Sequence, residues 1–168
     1  MSVSRKIASR YGLGLIVIAS VTALSTMGAK AEDGPFAGLE GSWSGNGTVT
    51  MANGSQERIR CSANYSVPPL GKSLNQGLKC ASDSYRFDVK TNVFVESGGA
   101  LRGTWSEATN QVTGNVSVRI APGLIETSVS SPAFSAHLSV TTQGGKQSVS
   151  IQPVNTTVKT VTIDMRRS

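Results

Sequence analysis

After residue 38, apolar and polar residues alternate in short runs rich in Val, Ile and Thr, and Gly, Pro or Asn interrupts the runs at short intervals. A period of two residues is that of a β-strand with one buried face, and almost none of this region has a helical period. Because no connection is long enough for a crossover helix, neighbouring strands should pair antiparallel as a meander. The predicted strands cover residues 41–52, 57–67, 73–80, 84–95, 100–107, 111–120, 124–130, 133–142, 146–152 and 157–166.

Two cysteines define the register of one predicted hairpin. Folding the chain about Pro68-Pro69-Leu70-Gly71 so that apolar faces match places Tyr65 opposite Gln76 and Cys61 opposite Cys80. Directly opposed side chains have Cβ atoms about 4.5–5.5 Å apart, which is close to the separation that a disulfide tolerates. The sequence therefore predicts a Cys61–Cys80 disulfide.

Matching of apolar faces also predicts the register of three other hairpins. At the first, a two-residue turn at Asn53-Gly54 would set an inward residue against an outward one, so we expect a three-residue loop, 53–55, with Val49 opposite Ile59. The same matching places Trp105 near Val112, and Ile120 near Ile125 around Pro122-Gly123.

The first residues of the chain have the pattern of a secretory signal. A basic start at Arg5, Lys6 and Arg10 precedes an apolar stretch, and Ala29-Lys30-Ala31 has small residues at the positions that a signal peptidase requires. The apolar run is too interrupted for a transmembrane span. We predict a signal peptide at residues 1–31, a single barrel domain at 32–168, and a periplasmic or secreted protein, in which a disulfide is favoured.

Removal of residues 1–31 also changes the charge of the chain. It takes away four basic residues and no acidic one, so the net charge falls from +6 to +2. The remaining Lys and Arg residues are scattered singly, whereas nucleic-acid binders concentrate them on one face. We therefore exclude nucleic acid as a partner.

Ten sequential antiparallel strands hide their edges most completely by closing into a barrel, with a β-sandwich as the alternative. Gly41-Ser42-Trp43 resembles the G-x-W start of lipocalins and related calycin barrels, and this resemblance implies an all-β up-and-down barrel with a basic residue of the last strand, Arg166 or Lys159, over the Trp. Leu101-Arg-Gly-Thr-Trp105 is similar to a segment of avidin-type barrels. An outer-membrane barrel is disfavoured because its lumen would have to hold the charged rows, and peripheral membrane contact is not indicated.

No group of residues predicts a catalytic or metal site. His137 is the single histidine and is expected to face outward, so a nucleophile–base–orienter triad has no base. One histidine and two paired cysteines are too few ligands for zinc. Glu107 and Asp88 could form a carboxylate pair, but both are expected on polar faces. We predict no enzyme activity, no cofactor and no metal.

Two functions remain open. The first is the binding of a small apolar molecule inside the barrel, in a lumen lined by Trp43, Tyr65, Phe87, Leu101, Trp105 and Val116. The second is a structural or protein-interaction module, with a protein partner at the loops 68–71 or 122–124 and a solid core filled by Trp43 and Trp105. Small inward residues such as Gly114 and Ala136 fit either a cavity or a core filled by the Trp rings.

Overall fold

The computed structural model describes residues 34–168, and the predicted signal peptide lies outside these residues. The described residues form ten β-strands separated by short turns. They are β1 (Gly41–Met51), β2 (Gln56–Ser66), β3 (Ser73–Ala81), β4 (Arg86–Val95), β5 (Leu101–Glu107), β6 (Val112–Ala121), β7 (Leu124–Ser130), β8 (Ser135–Gln143), β9 (Lys146–Val154) and β10 (Val158–Arg167).

Every strand pairs antiparallel with its neighbours in sequence, and β1 closes the sheet by pairing with β10. The predicted ten-stranded meander barrel is confirmed, and the β-sandwich alternative is wrong. Closure leaves no strand edge unpaired, which is the strongest protection that a sheet has against edge-to-edge association.

The register of β2 and β3 is the predicted one. Tyr65 faces Gln76, and Cys61 faces Cys80 with 4.1 Å between the Cα atoms. The two cysteines form a disulfide on the inner face of the sheet, where both side chains are buried.

Two predicted registers are wrong by two residues. Val49 faces Glu57 and Gly47 faces Ile59, because the three-residue loop is 52–54 and Gly54 adopts the positive φ of 86° that the last position of such a loop favours. Likewise Trp105 faces Gly114 and not Val112, because Glu107 stabilises a longer turn. A register shift of two residues does not exchange the inward and outward faces of a strand.

The end of the barrel at which β1 begins is closed by the segment that precedes β1. Phe36 and Leu39 are buried there, and the Trp43 indole N–H donates to the Leu39 carbonyl at 3.0 Å. The basic residue over Trp43 is Arg167, not Arg166 or Lys159, with its guanidinium carbon 4.6 Å from the ring centre. The same guanidinium donates to the Gly38 and Glu40 carbonyls and so ties the end of β10 to the closing segment.

The two faces of the barrel wall differ in polarity. Inward positions carry the apolar core, whereas outward positions of the same strands carry exposed charged residues such as Arg58, Arg60 and Lys79. His137 is exposed, as predicted. Within residues 34–168, no helix has the length and apolar character needed to cross a membrane.

Candidate functional site: the barrel interior

The barrel interior contains a cavity of about 450 Å³. Its walls come from all strands except β1, and it extends from Phe36 and Leu39 at the closed end to Phe134 and Thr156 in the loops of the opposite end. Most of the side chains that line it are Val, Ile, Leu and Phe. Ligand cavities of small-molecule binders have volumes from roughly 300 Å³ upward and are mostly apolar, so the interior has the size and chemistry of a binding site.

The cavity lies to one side of the barrel because packing is uneven around the wall. Inward side chains of β1, β2 and β10 are tightly packed. Three of them, Trp43, Ile59 and Ile163, are each only 1% exposed. Most inward residues of β6 to β8, such as Val118 and Val140, are only partly buried although they face the interior, Val116 and Ala136 being the exceptions. The incomplete burial of these side chains shows that free space lies beside β6–β8.

Four of the six residues predicted to line a lumen do line the cavity. These four are Tyr65, Phe87, Trp105 and Val116. Trp43 lies outside it, packed at the closed end, and Leu101 packs against the core without lining it. Their role in ligand binding stays a prediction for all six.

The expectation that two Trp rings fill the interior is wrong. Trp43 fills the closed end, where its ring meets Tyr65 edge-on with centroids 6.4 Å apart. Trp105 lies against the wall, because Gly114 opposite it has no side chain: a Cβ there would be 2.7 Å from the indole nitrogen. The ring also meets Phe134 edge-on at 5.8 Å, and space remains beside it. The solid-core form of the interaction-module hypothesis is therefore wrong as well.

A small polar cluster interrupts the apolar interior near the closed end. The Tyr65 hydroxyl donates to Gln147 Oε1 at 2.9 Å, and Gln147 Nε2 donates to Thr142 at 3.3 Å. Burial raises the pKa of Tyr65 to about 12, so the phenol keeps its proton and remains a donor at neutral pH. Gln76 Nε2 lies 3.4 Å from the same hydroxyl. The sequence reasoning overlooked Gln147, although its position on the apolar face of β9, two residues before Val149, was a usable signal.

Glu107 is a buried carboxylate at the opposite end, not the polar-face residue that was expected. Its Oε1 accepts from the backbone N–H groups of Asp88 and Thr109, and its Oε2 accepts from the backbone and side chain of Asn110. Burial alone would raise the pKa of Glu107, but these donors outweigh it and lower the pKa to about 2. The side chain therefore stabilises the β5–β6 turn as an anion.

The Glu107–Asp88 pair does not have the arrangement of a catalytic pair. The Asp88 side chain faces outward and lies 3.4 Å from the Lys79 ammonium nitrogen. Both oxygens of Glu107 are already occupied by donors of its own turn. Across residues 34–168, no group of three or more His, Cys, Asp and Glu side chains stands close enough to hold a metal ion.

A second concave region lies on the outer face of β2–β6 and has a volume of about 1170 Å³. Most of its outward side chains are short and polar, Lys90 is charged, and some bond one another, as Asn92 does with Asn75 at 2.6 Å. Exposed polar side chains of this kind are solvated by water, whereas the interior is lined mainly by aliphatic and aromatic side chains. We regard the interior as the stronger candidate site.

The loops that the interaction hypothesis named offer one exposed apolar side chain. Leu70 is 77% exposed, whereas Leu124 is half-buried. Single exposed leucines are ordinary on protein surfaces. They do not by themselves indicate a protein partner.

No protein-family model matches the chain, and no curated protein matches it in sequence. Solved structures do resemble it. Rv2717c from M. tuberculosis is 14% identical with a TM-score of 0.57, covering 77% of this chain and 92% of that chain. The S-type phycobiliprotein lyase CPES from Guillardia theta is 8% identical with a TM-score of 0.51, covering 77% of this chain and 88% of that chain. The fold is a calycin-like barrel. At these identities the likeness extends to the fold alone.

Proposed function

We propose that this protein binds a small, largely apolar molecule inside its barrel, as a binding protein rather than an enzyme. The observation that carries the proposal is the cavity of about 450 Å³ lined mainly by aliphatic and aromatic side chains. Empty apolar space of this size costs stability, because the side chains around it lose packing partners. A ligand that fills the space would restore those contacts and bury apolar area on both partners.

We further propose that binding takes place in the periplasm or outside the cell. The Cys61–Cys80 disulfide supports this location, because structural disulfides persist in oxidising compartments and are rare in the cytosol. The N-terminal pattern ending at Ala29-Lys30-Ala31 supports the same location from the sequence.

A cavity-filling variant tests the binding proposal. Val140 lines the cavity, so Val140→Phe places a ring in the space that a ligand would occupy. We expect fluorescence titration with a neutral naphthylamine dye to show saturable binding to the wild type. Binding to Val140→Phe should be weaker by about tenfold or more, equivalent to at least about 1.4 kcal/mol.

Val154→Phe is the matched control, because Val154 is 38% exposed and does not line the cavity. It adds the same ring to the outer surface and should leave dye affinity unchanged. Equal losses in the two variants, or dye binding that neither variant changes, would contradict an interior site.

A further inference from the structure

Four hydrogen-bonding side chains form a row across the inner wall. Tyr65 faces Gln76 across β2 and β3, Gln76 faces Thr91 across β3 and β4, and Thr91 faces Trp105 across β4 and β5. All four line the cavity, and we call them the polar row. The inward residues on either side of the row in β3 and β4 are apolar, namely Leu74, Leu78, Val89 and Val93.

Part of the hydrogen-bonding capacity of the polar row is unused. The Tyr65 hydroxyl donates its hydrogen bond to Gln147, but the Gln76 side chain makes only the long 3.4 Å contact to that hydroxyl. The Trp105 indole nitrogen is buried without a partner among the described residues, but it lies against Gly114 and is not open to the cavity. Buried polar groups in native proteins are nearly always hydrogen-bonded. The unused hydrogen-bonding capacity of Gln76, on the wall of an apolar cavity, therefore indicates where the polar group of a ligand would lie.

The charges around the cavity exclude an anionic ligand. None of the described residues that line the cavity is Lys, Arg or His. The single carboxylate, Glu107, already accepts four hydrogen bonds from its own turn. A carboxylate or phosphate taken into this interior would lose its hydration without gaining a counter-charge, which is strongly unfavourable.

We propose that the ligand is an uncharged amphipathic molecule, with an apolar body against β6–β8 and a single hydroxyl or carbonyl group held by Gln76 and Thr91 of the polar row. The inference rests on the proposed function of the cavity. At roughly 30 Å³ for each water-sized group, 450 Å³ accommodates a molecule of about 15 non-hydrogen atoms. A medium-chain alcohol, ketone or ester has this size and polarity.

The test compares three saturated probes of the same chain length, about a dozen carbons as the cavity volume suggests. They are the primary alcohol, the alkanoate and the alkane, each measured at neutral pH by displacement of the neutral dye. The wild type should bind the alcohol at least about tenfold more tightly than the alkanoate. The ratio of alcohol to alkane affinity should fall by about tenfold in Thr91→Val and in Gln76→Leu, since one hydrogen bond is worth about 1 kcal/mol or somewhat more.

Thr127→Val is the matched control, because Thr127 lines the cavity on β7, outside the polar row. It removes the same hydroxyl elsewhere in the interior and should leave the alcohol-to-alkane ratio unchanged. The inference is overturned if the wild type binds alkanoate as tightly as alcohol, or if both row variants keep the wild-type ratio. If instead neither the dye nor any probe binds the wild type, the proposed function itself fails. The wild-type comparison needs no variant, so a misfolded variant leaves the inference testable.

Discussion

Truncation of the two tryptophans should have unequal effects on stability. Trp43 is 1% exposed and is packed on all sides at the closed end. Its truncation also removes the edge contact with Tyr65 and the contact with Arg167. Burial of a large aromatic side chain removes up to about 250 Å² from water, worth about 6 kcal/mol at roughly 25 cal/mol per Å² as an upper bound. Measured Trp-to-Ala losses are about 3–5 kcal/mol, and the two aromatic contacts place Trp43→Ala at the upper end of that range.

Trp105→Ala should cost less, about 2–3 kcal/mol, because the ring borders space that is already empty and the new void only enlarges it. Guanidinium unfolding of both variants, monitored by circular dichroism, measures the two losses. Trp43→Phe and Trp105→Phe give the same comparison if an Ala variant does not fold, since total stability is often only about 5–15 kcal/mol. Equal losses, or a larger loss at Trp105, would show that no free space lies beside Trp105 in solution.

Three other predictions concern the β5–β6 turn, the Cys61–Cys80 disulfide and the N-terminus. Glu107→Gln should lower stability by about 1.5–3 kcal/mol at neutral pH, because it places an amide donor among N–H donors. Since the folded-state pKa of Glu107 is depressed to about 2, the wild type should lose this advantage as pH falls from about 4.5 towards 2. Urea unfolding of the wild type and the variant across that pH range measures the difference. The double change Cys61→Ala/Cys80→Ala should cost about 3 kcal/mol, as expected for a bridge with a sequence separation of 19, and thiol titration of the denatured, unreduced wild type should find no free thiol. Intact-mass analysis of the exported protein should give a chain that begins at Glu32, and a full-length species in that fraction would contradict cleavage after residue 31.

Face assignment could be predicted from the sequence because it depends only on a period of two residues. The alternation placed Cys61 and Cys80 on one face of their strands, and the constraint of a single disulfide then gave the register of β2 and β3. The same alternation placed Gln76 on an apolar face, where it is part of the polar row. Of the registers without such a constraint, Ile120 opposite Ile125 is confirmed, whereas those at Val49 and Trp105 were wrong by two residues. The choice between loops of similar length depends on backbone details such as the positive φ of Gly54.

The sequence left a cavity and a core filled by the Trp rings both open, because the choice depends on contacts between residues far apart in sequence. Trp43 and Trp105 follow nearly identical Gly-[Ser/Thr] steps, yet one is packed on all sides and the other borders free space. Trp43 bonds the Leu39 carbonyl of the segment that closes its end of the barrel, whereas Trp105 meets Phe134 edge-on and otherwise borders the cavity. Closure of ten strands sets the width of the interior, and the aliphatic side chains of β6–β8 are too short to fill it.

The most direct test of the account is the location of a bound probe by nuclear magnetic resonance. With the saturated primary alcohol bound to methyl-labelled protein, we predict intermolecular nuclear Overhauser effects from the alkyl chain to the cavity-lining methyl groups of Val116, Val118, Ile125 and Val140. Surface methyl groups, such as those of the exposed Leu70, should show none. Contacts confined to surface methyl groups, or no contacts at saturating probe, would contradict the claim that the barrel interior is a binding site.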